Sequence, residues 1–168
     1  MKPFLAALVF VPALLAQAPA PVVDPFAPVR FLVGEWKGEG WGLPGQSMGA
    51  ATFRFELEGK VLARRSYADM AAANGRPASH HEDLLWLFPE GGQLKGLYLD
   101  NEGHVIHYLV AALPGGVALT SEAGTGPGFR LSYFQKAEGL VSLRFEIAPP
   151  NSPGDFKTYL EAVTRKQN

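Results

Sequence analysis

The chain has 168 residues, with 15 Lys and Arg against 16 Asp and Glu, so its formal net charge is −1. This near-neutral balance excludes a protein that binds nucleic acid mainly through phosphate contacts. A hydrophobic content of 47% is enough for a buried core and excludes a wholly disordered chain. Because the chain has no cysteine, disulfides, thiolate catalysis and Cys-ligated zinc are excluded as well.

Residues 1–18 are typical of a secretory signal peptide. Lys2 precedes an apolar run from Phe4 to Ala16, and the sequence A-Q-A ending at Ala18 gives the small residues of a cleavage site. The run is too short to span a bilayer comfortably and contains a proline, so we expect no transmembrane anchor after cleavage. Cleavage after Ala16 is the alternative. We therefore expect an exported protein, either periplasmic or extracellular.

The mature chain is predicted to contain a short tether and one domain. Residues 19–24 are rich in proline and predict the tether, and residues 25–168 predict the domain. Within that domain, Asp24 to Val33 predicts one short helix, because Asp24 can act as its N-cap and Pro25 can occupy its first position.

Beyond this helix, short runs alternate with turns rich in Gly, Pro, Asn and Asp. Many runs alternate apolar and polar residues, as half-buried antiparallel strands do; in one of them Val141, Leu143 and Phe145 face one way while Ser142 and Arg144 face the other. The pattern predicts ten strands, at about 34–41, 48–58, 61–72, 80–88, 93–99, 104–113, 116–122, 128–136, 140–148 and 156–165.

The short links between these strands predict an all-β fold, an antiparallel up-and-down β-barrel. Nearly every link is short enough for a hairpin, and a long meander removes its exposed edges by closing into a barrel. A β-sandwich is the alternative, but it would need longer crossovers than this sequence has.

One motif at the start of the first strand points to a family. Gly34, Trp36, Gly38 and Gly40 form G-x-W-x-G-x-G directly after the predicted helix. Trp36 is expected to plug one end of the barrel, and the glycines are expected to let the strand bend. With the ten-strand count, the chain resembles the calycin superfamily, and within it the nitrobindin-like and lipocalin-like secreted barrels. The motif resemblance covers residues 26–41, and the rest is likeness of architecture.

This resemblance implies an interior cavity for a small, often apolar ligand, which is haem in nitrobindins. Their iron is held by a His toward the C-terminal end of the barrel, whereas the last histidine here is His107. The usual haem ligand is therefore missing, so the cofactor stays unknown. A tyrosinate from Tyr133 or Tyr159 is the remaining alternative.

A second candidate site is a metal centre built across strands. His81 and Asp83 share one face of the fourth strand by parity, and His107 of the sixth strand could join them. Two His and one carboxylate suit zinc or non-haem iron. No spacing signature supports the set, and a polar strand end beside a loop is the alternative, so we assign no metal.

The preferred function is binding of a small apolar or amphipathic molecule inside the barrel. One of Arg64 and Arg65 must face inward, where it needs a partner carboxylate from the protein or the ligand. The alternative for this Arg is a position near the mouth, with its charge in water. The ligand-binding candidates are Arg64, Arg65, Tyr67, Trp86, Tyr98, His107 and Tyr133.

Two further expectations concern partners and catalysis. The run Leu84 to Phe88 is apolar on both faces, which implies cover outside by a second copy, as a homodimer, or by the N-terminal segment. No G-x-S-x-G elbow and no phosphate-binding glycine loop occurs, so no catalytic residue is assigned. A purely structural or interaction barrel is the other alternative, and nucleic acid is not an expected partner.

Overall fold

The structure is a computed structural model, and it describes residues 24–39, 49–72, 75 and 77–167. The predicted signal peptide, nearly all of the predicted tether and Gly40 of the motif lie outside these residues. No helix within the described ranges is long and apolar enough to cross a membrane.

Ten antiparallel strands form a closed barrel. Each strand pairs with its neighbours in sequence, and β1 also pairs with β10, so the sheet has no free edge. This confirms the predicted all-β up-and-down barrel, and it is compatible with a calycin-like fold. The strands are β1 (Gly34–Glu39), β2 (Gly49–Glu56), β3 (Val61–Met70), β4 (Ser79–Glu90), β5 (Gln93–Asp100), β6 (Val105–Leu113), β7 (Gly116–Ser121), β8 (Gly128–Ala137), β9 (Leu140–Ala148) and β10 (Lys157–Lys166).

The predicted N-terminal helix is a 3-10 helix, Ala27–Leu32, rather than an α-helix. The prediction that Asp24 is the N-cap was wrong, because the helix begins two residues later with Phe26 as its N-cap. Asp24 instead caps the preceding turn, where its Oδ1 accepts a hydrogen bond from the backbone N–H of Phe26 at 3.0 Å. The segment is six residues long and contains Pro28, which has no N–H to donate. A short segment with a missing donor favours i→i+3 turns over a longer α-helix.

This 3-10 helix closes one end of the barrel. Val29 and Leu32 are buried, and the helix packs against β7. The indole Nε1 of Trp36 donates a hydrogen bond to the carbonyl oxygen of Leu32 at 2.6 Å. Phe26 meets Phe55 of β2 edge to face, with ring centroids 5.1 Å apart. Trp36 therefore ties the helix to the first strand, in the plug role that the motif predicts.

The first glycine of the motif is required by its backbone conformation, and the atoms nearest to it belong to the flexible side chain of Lys166. Gly34 has φ +131°, in the region that favours glycine, and a Cβ built on it would lie 2.6 Å from Cε of Lys166. Gly38 lies close to Gly49 of β2, whose carbonyl oxygen would be 3.2 Å from an added Cβ. These contacts seat β1 between β10 and β2.

The two ends of the barrel differ. The end that carries the 3-10 helix and the turns at 57–60, 91–92, 114–115 and 138–139 is called the closed end below. The opposite end, called the mouth, carries the connections that follow Met70, Asp100, Ser121 and Ala148. Inward-facing side chains follow the alternation of each strand, and the core lies nearest the closed end.

Candidate functional site

A group of polar side chains lies on the inner wall, between the middle of the barrel and the mouth. Strand pairing places Arg64 opposite Leu85 and Ser66 opposite Asp83, so these residues share the inward face of β3 and β4. Tyr98 of β5 pairs with Leu85 and faces the same way. The polar cluster, as it is called below, consists of Arg64, Ser66, Asp83, Tyr98 and Tyr133.

Arg64 is the centre of the polar cluster. Its guanidinium forms an ion pair with Asp83 and donates a hydrogen bond to the hydroxyl of Tyr133. The residue is only 5% exposed, and its Nε is buried without a hydrogen-bond partner. Burial alone would lower the pKa of Arg64, but the interactions with Tyr133 and Asp83 outweigh it and hold the pKa above its usual value. Arg64 is therefore a buried, charged group with one guanidinium nitrogen, Nε, that has no hydrogen-bond partner.

Asp83 links Arg64 to polar side chains that lie nearer the mouth. The hydroxyl of Ser66 donates to Oδ2 of Asp83 at 2.7 Å, and Nε2 of His81 lies 3.6 Å from the same oxygen. His81 also contacts the hydroxyl of Tyr98 through Nε2 at 3.1 Å, and Glu102 through Nδ1 at 3.2 Å. Polar contacts thus run from the middle of the barrel to its rim.

Asp100 continues this chain of contacts into the turn between β5 and β6. Its Oδ1 accepts hydrogen bonds from the backbone N–H groups of Glu102 and His104, and its Oδ2 lies 2.8 Å from Nδ1 of His104. The hydroxyl of Tyr98 donates to Oδ2 at 3.2 Å. Burial acts to raise the pKa of Asp100, but the hydrogen bonds from His104 and Glu102 together hold it below its usual value. Asp100 is therefore a second carboxylate near Tyr98.

The tyrosines that surround Arg64 are protonated. Burial, followed by the charges of Asp83 and Asp100, raises the pKa of Tyr98. Burial also raises the pKa of Tyr133 and of Tyr108, although nearby Arg64 acts to lower both. The ring of Tyr108 meets that of Tyr98 edge to face, with centroids 6.4 Å apart. Neutral hydroxyls therefore line the space around a single cation.

The facing wall near the mouth is apolar. Phe129 of β8 and Phe145 of β9 stack with ring centroids 6.0 Å apart, and Tyr159 meets Phe145 edge to face. Tyr159 lies where the register of β10 shifts against β9. On the inner face, Phe129 and Phe145 are half-buried, whereas Val117 at the closed end is fully buried. The inner wall is therefore dry at the closed end and reached by water at the mouth.

The structure divides the predicted ligand-binding residues between the two faces. Arg64, Tyr98 and Tyr133 face inward and lie together in the polar cluster. The other four, which pairing and alternation place on the outer face, are Arg65, Tyr67, Trp86 and His107. Arg64 is therefore the inward-facing residue of the Arg64–Arg65 pair, and its partners are Asp83 and Tyr133.

The cross-strand metal set is not brought together. His81 and Asp83 face the interior, but His107 pairs with Leu97 on the outer face. No group of three His, Asp or Glu suited to a metal ion occurs within the described ranges. Of the side chains considered as haem ligands, inward-facing His81 contacts Tyr98 through Nε2 and Glu102 through Nδ1, and Tyr159 is exposed near the mouth. The hydroxyl of Tyr133 is held by Arg64.

The sequence interpretation missed part of this wall. Ser66 and Tyr108 gave no signal beyond the parity of their strands. Asp100 did give one, since an Asp that opens a D-N-E-G turn often accepts backbone N–H groups two residues on. That pattern predicted the turn, but the second oxygen of Asp100 also contacts Tyr98, which only the closed barrel shows.

Outer surfaces carry features that are separate from the polar cluster. A groove of about 600 Å³ on β8 to β10 is lined by residues that include Phe134, Ser142 and the ion-paired Arg144 and Glu161. In the predicted apolar run, Leu85 and Leu87 face the core while the three outward side chains are half-buried. The outward set is Leu84, Trp86 and Phe88.

No protein-family model matches the chain, and a search of curated proteins finds no match either. The function proposed for this protein therefore rests on its fold and its polar cluster.

Proposed function

We propose that this protein binds a small amphipathic molecule inside the barrel, in the half nearest the mouth. The observation that carries the proposal is the contrast along the inner wall. Side chains at the closed end exclude water, whereas Phe129, Phe145 and Tyr98 face inward near the mouth and keep part of their surface accessible. A concave, mostly apolar wall with a few convergent polar groups is the usual form of a ligand site.

The two sides of this space suit two parts of one molecule. Phe129 and Phe145 offer an apolar surface, and burial of ligand surface there would supply most of the affinity at about 25 cal/mol per Å². Arg64 and Tyr98 offer polar atoms on the opposite side that can fix orientation. Binding needs no reaction step, and no residue of the polar cluster is assigned as catalytic.

The test uses a neutral fluorescent probe, N-phenyl-1-naphthylamine, titrated into the purified mature protein. We expect an emission increase on binding, and we expect Phe145→Ala to weaken binding about tenfold, because it removes one stacked ring of the apolar wall. Phe134→Ala is the matched control. Phe134 is also half-buried, but it faces the outer groove, so this variant should bind as the wild type does. Equal weakening by both variants would place the probe outside the barrel.

We propose further that the protein acts outside the cytoplasm. The support is the sequence of residues 1–18 alone. Intact mass of the protein recovered from the extracytoplasmic fraction should correspond to cleavage after Ala18 or Ala16. Recovery of the uncleaved chain from the cytoplasm alone would contradict export.

A homodimer through the outer face of β4 stays a prediction. The outward side chains Leu84, Trp86 and Phe88 adjoin Leu97 and Leu99 of β5, so the apolar surface is wider than one strand. Val105 of β6 extends it and is 60% exposed.

A further inference from the structure

Nε of Arg64 is a buried hydrogen-bond donor that has no partner within the protein. The guanidinium has three nitrogens, and two of them are engaged, one with Asp83 and one with Tyr133. The third, Nε, is buried and has no acceptor. A buried donor without a partner destabilises the protein, so an acceptor supplied by a ligand would remove that cost.

We propose that the ligand is uncharged and that its carbonyl, ester or hydroxyl oxygen accepts a hydrogen bond from Nε of Arg64. This inference rests on the proposed function and names the chemical class of the ligand. It differs from the carboxylate ligand that an inward Arg alone would suggest.

The charges around Arg64 favour a neutral group. Asp83 already balances the guanidinium in a buried ion pair. Asp100 is a second carboxylate within reach of Tyr98, and Glu102 lies next to His81. Within the described residues, Arg64 is the single Lys or Arg on the inner faces of β2 to β9. Lys157 of β10, which lies opposite inward-facing Ile147 at the mouth, is ion-paired with Asp155. A ligand carboxylate would bring another anion to a site whose cation is already paired, and burial makes that arrangement costly.

The hydroxyls of the wall support the same conclusion. Tyr98 and Tyr133 stay protonated, because burial raises the pKa of each. The hydroxyl of Tyr98 donates to Asp100, and that of Tyr133 accepts from Arg64. The wall therefore offers polar atoms without a free positive charge. A ligand with a neutral oxygen beside Nε of Arg64 and an apolar chain against Phe129 and Phe145 would match both sides of the barrel interior.

The experiment compares two ligands of equal chain length, 2-decanone and decanoate, in competition with N-phenyl-1-naphthylamine at pH 8. We expect the ketone to displace the probe at a concentration at least about tenfold lower than decanoate. In Asp83→Asn the balancing charge is removed, and we expect the preference to reverse, because decanoate then supplies the missing anion. Glu82→Gln is the matched control. It removes one carboxylate from the neighbouring, outward-facing position, so the ketone preference should remain.

A second readout does not depend on the folding of a variant. The side-chain Nε–H of Arg64 is observable in a ¹⁵N correlation spectrum of the wild type, where it is assigned through its own side chain to the backbone resonances. We expect 2-decanone to shift this resonance. Displacement of the probe by the ketone without such a shift, or tighter binding of decanoate than of ketone to the wild type, would overturn the inference while the proposed function stands. Absence of probe binding would instead contradict the proposed function itself.

Discussion

Replacement of Asp83 by alanine is expected to destabilise the protein by about 3–5 kcal/mol, because it leaves the charge of Arg64 buried without its counter-ion. Ser66 loses its hydrogen-bond acceptor in the same variant. The loss should appear as a lower midpoint in urea unfolding with an unchanged slope.

The double variant Arg64→Met with Asp83→Ala provides the decisive comparison. Because it removes both charges, we expect it to be more stable than Asp83→Ala alone, so the two substitutions should be strongly non-additive. Glu161→Ala is the matched control, since it breaks the exposed ion pair with Arg144 and should cost less than about 1 kcal/mol. A cost for Asp83→Ala as small as that of Glu161→Ala would mean that water reaches the buried pair.

Replacement of Trp36 by alanine is expected to cost about 3–5 kcal/mol, as large-to-small changes in a core do. Trp36 is 4% exposed, and its indole donates to the carbonyl oxygen of Leu32. The variant opens a cavity beneath the 3-10 helix and removes that hydrogen bond. Trp36→Phe keeps most of the volume, so its loss should be clearly smaller, chiefly that of a single hydrogen bond at about 1–2 kcal/mol.

Trp86→Ala is the control for the residue type. Trp86 faces the outer wall and is only half-buried, so its removal should cost clearly less in the same urea experiment. If the two tryptophan-to-alanine variants were equally destabilised, Trp36 would not be acting as the plug of the closed end.

Strand number and strand ends could be predicted because local patterns determine them. In β9, alternation separates Val141 and Phe145 from Ser142 and Arg144, and the structure keeps that separation. Pairing confirms the alternation, since Phe145 lies opposite inward-facing Leu131. Hairpin links then leave few ways to arrange ten strands, and closure into a barrel follows.

Which face of each strand lines the barrel interior could not be predicted from the alternation. Parity separates Arg64 from Arg65, but it does not say which one is inside, because that depends on how each strand registers with its neighbours. For the same reason, the predicted metal set combined His107 with His81 and Asp83, although His107 lies on the outer face. Face assignment is a property of the closed sheet, and the candidate site depends on it.

Contacts between residues far apart in the sequence also could not be predicted from the pattern of a single strand. Glu146 alternates with the inward residues of β9 and so faces outward, yet it is buried. Arg130 holds it with two hydrogen bonds, of 2.7 and 2.8 Å, and Phe156 lies against the same guanidinium at 4.3 Å. Burial of a charged outward residue needs a partner from another strand and cover from a loop, and neither is visible in a single strand's pattern.

Closure of the sheet through β1 and β10 has a consequence for the timing of folding. Trp36 of the first strand pairs with Lys166 of the last, so the final seam joins strands that are far apart in the sequence. During synthesis, β1 has to wait unpaired on one side until the last strand has left the ribosome. Pairing over such long sequence separations slows folding. A barrel of this design should therefore stay incompletely folded until its tenth strand is available for pairing.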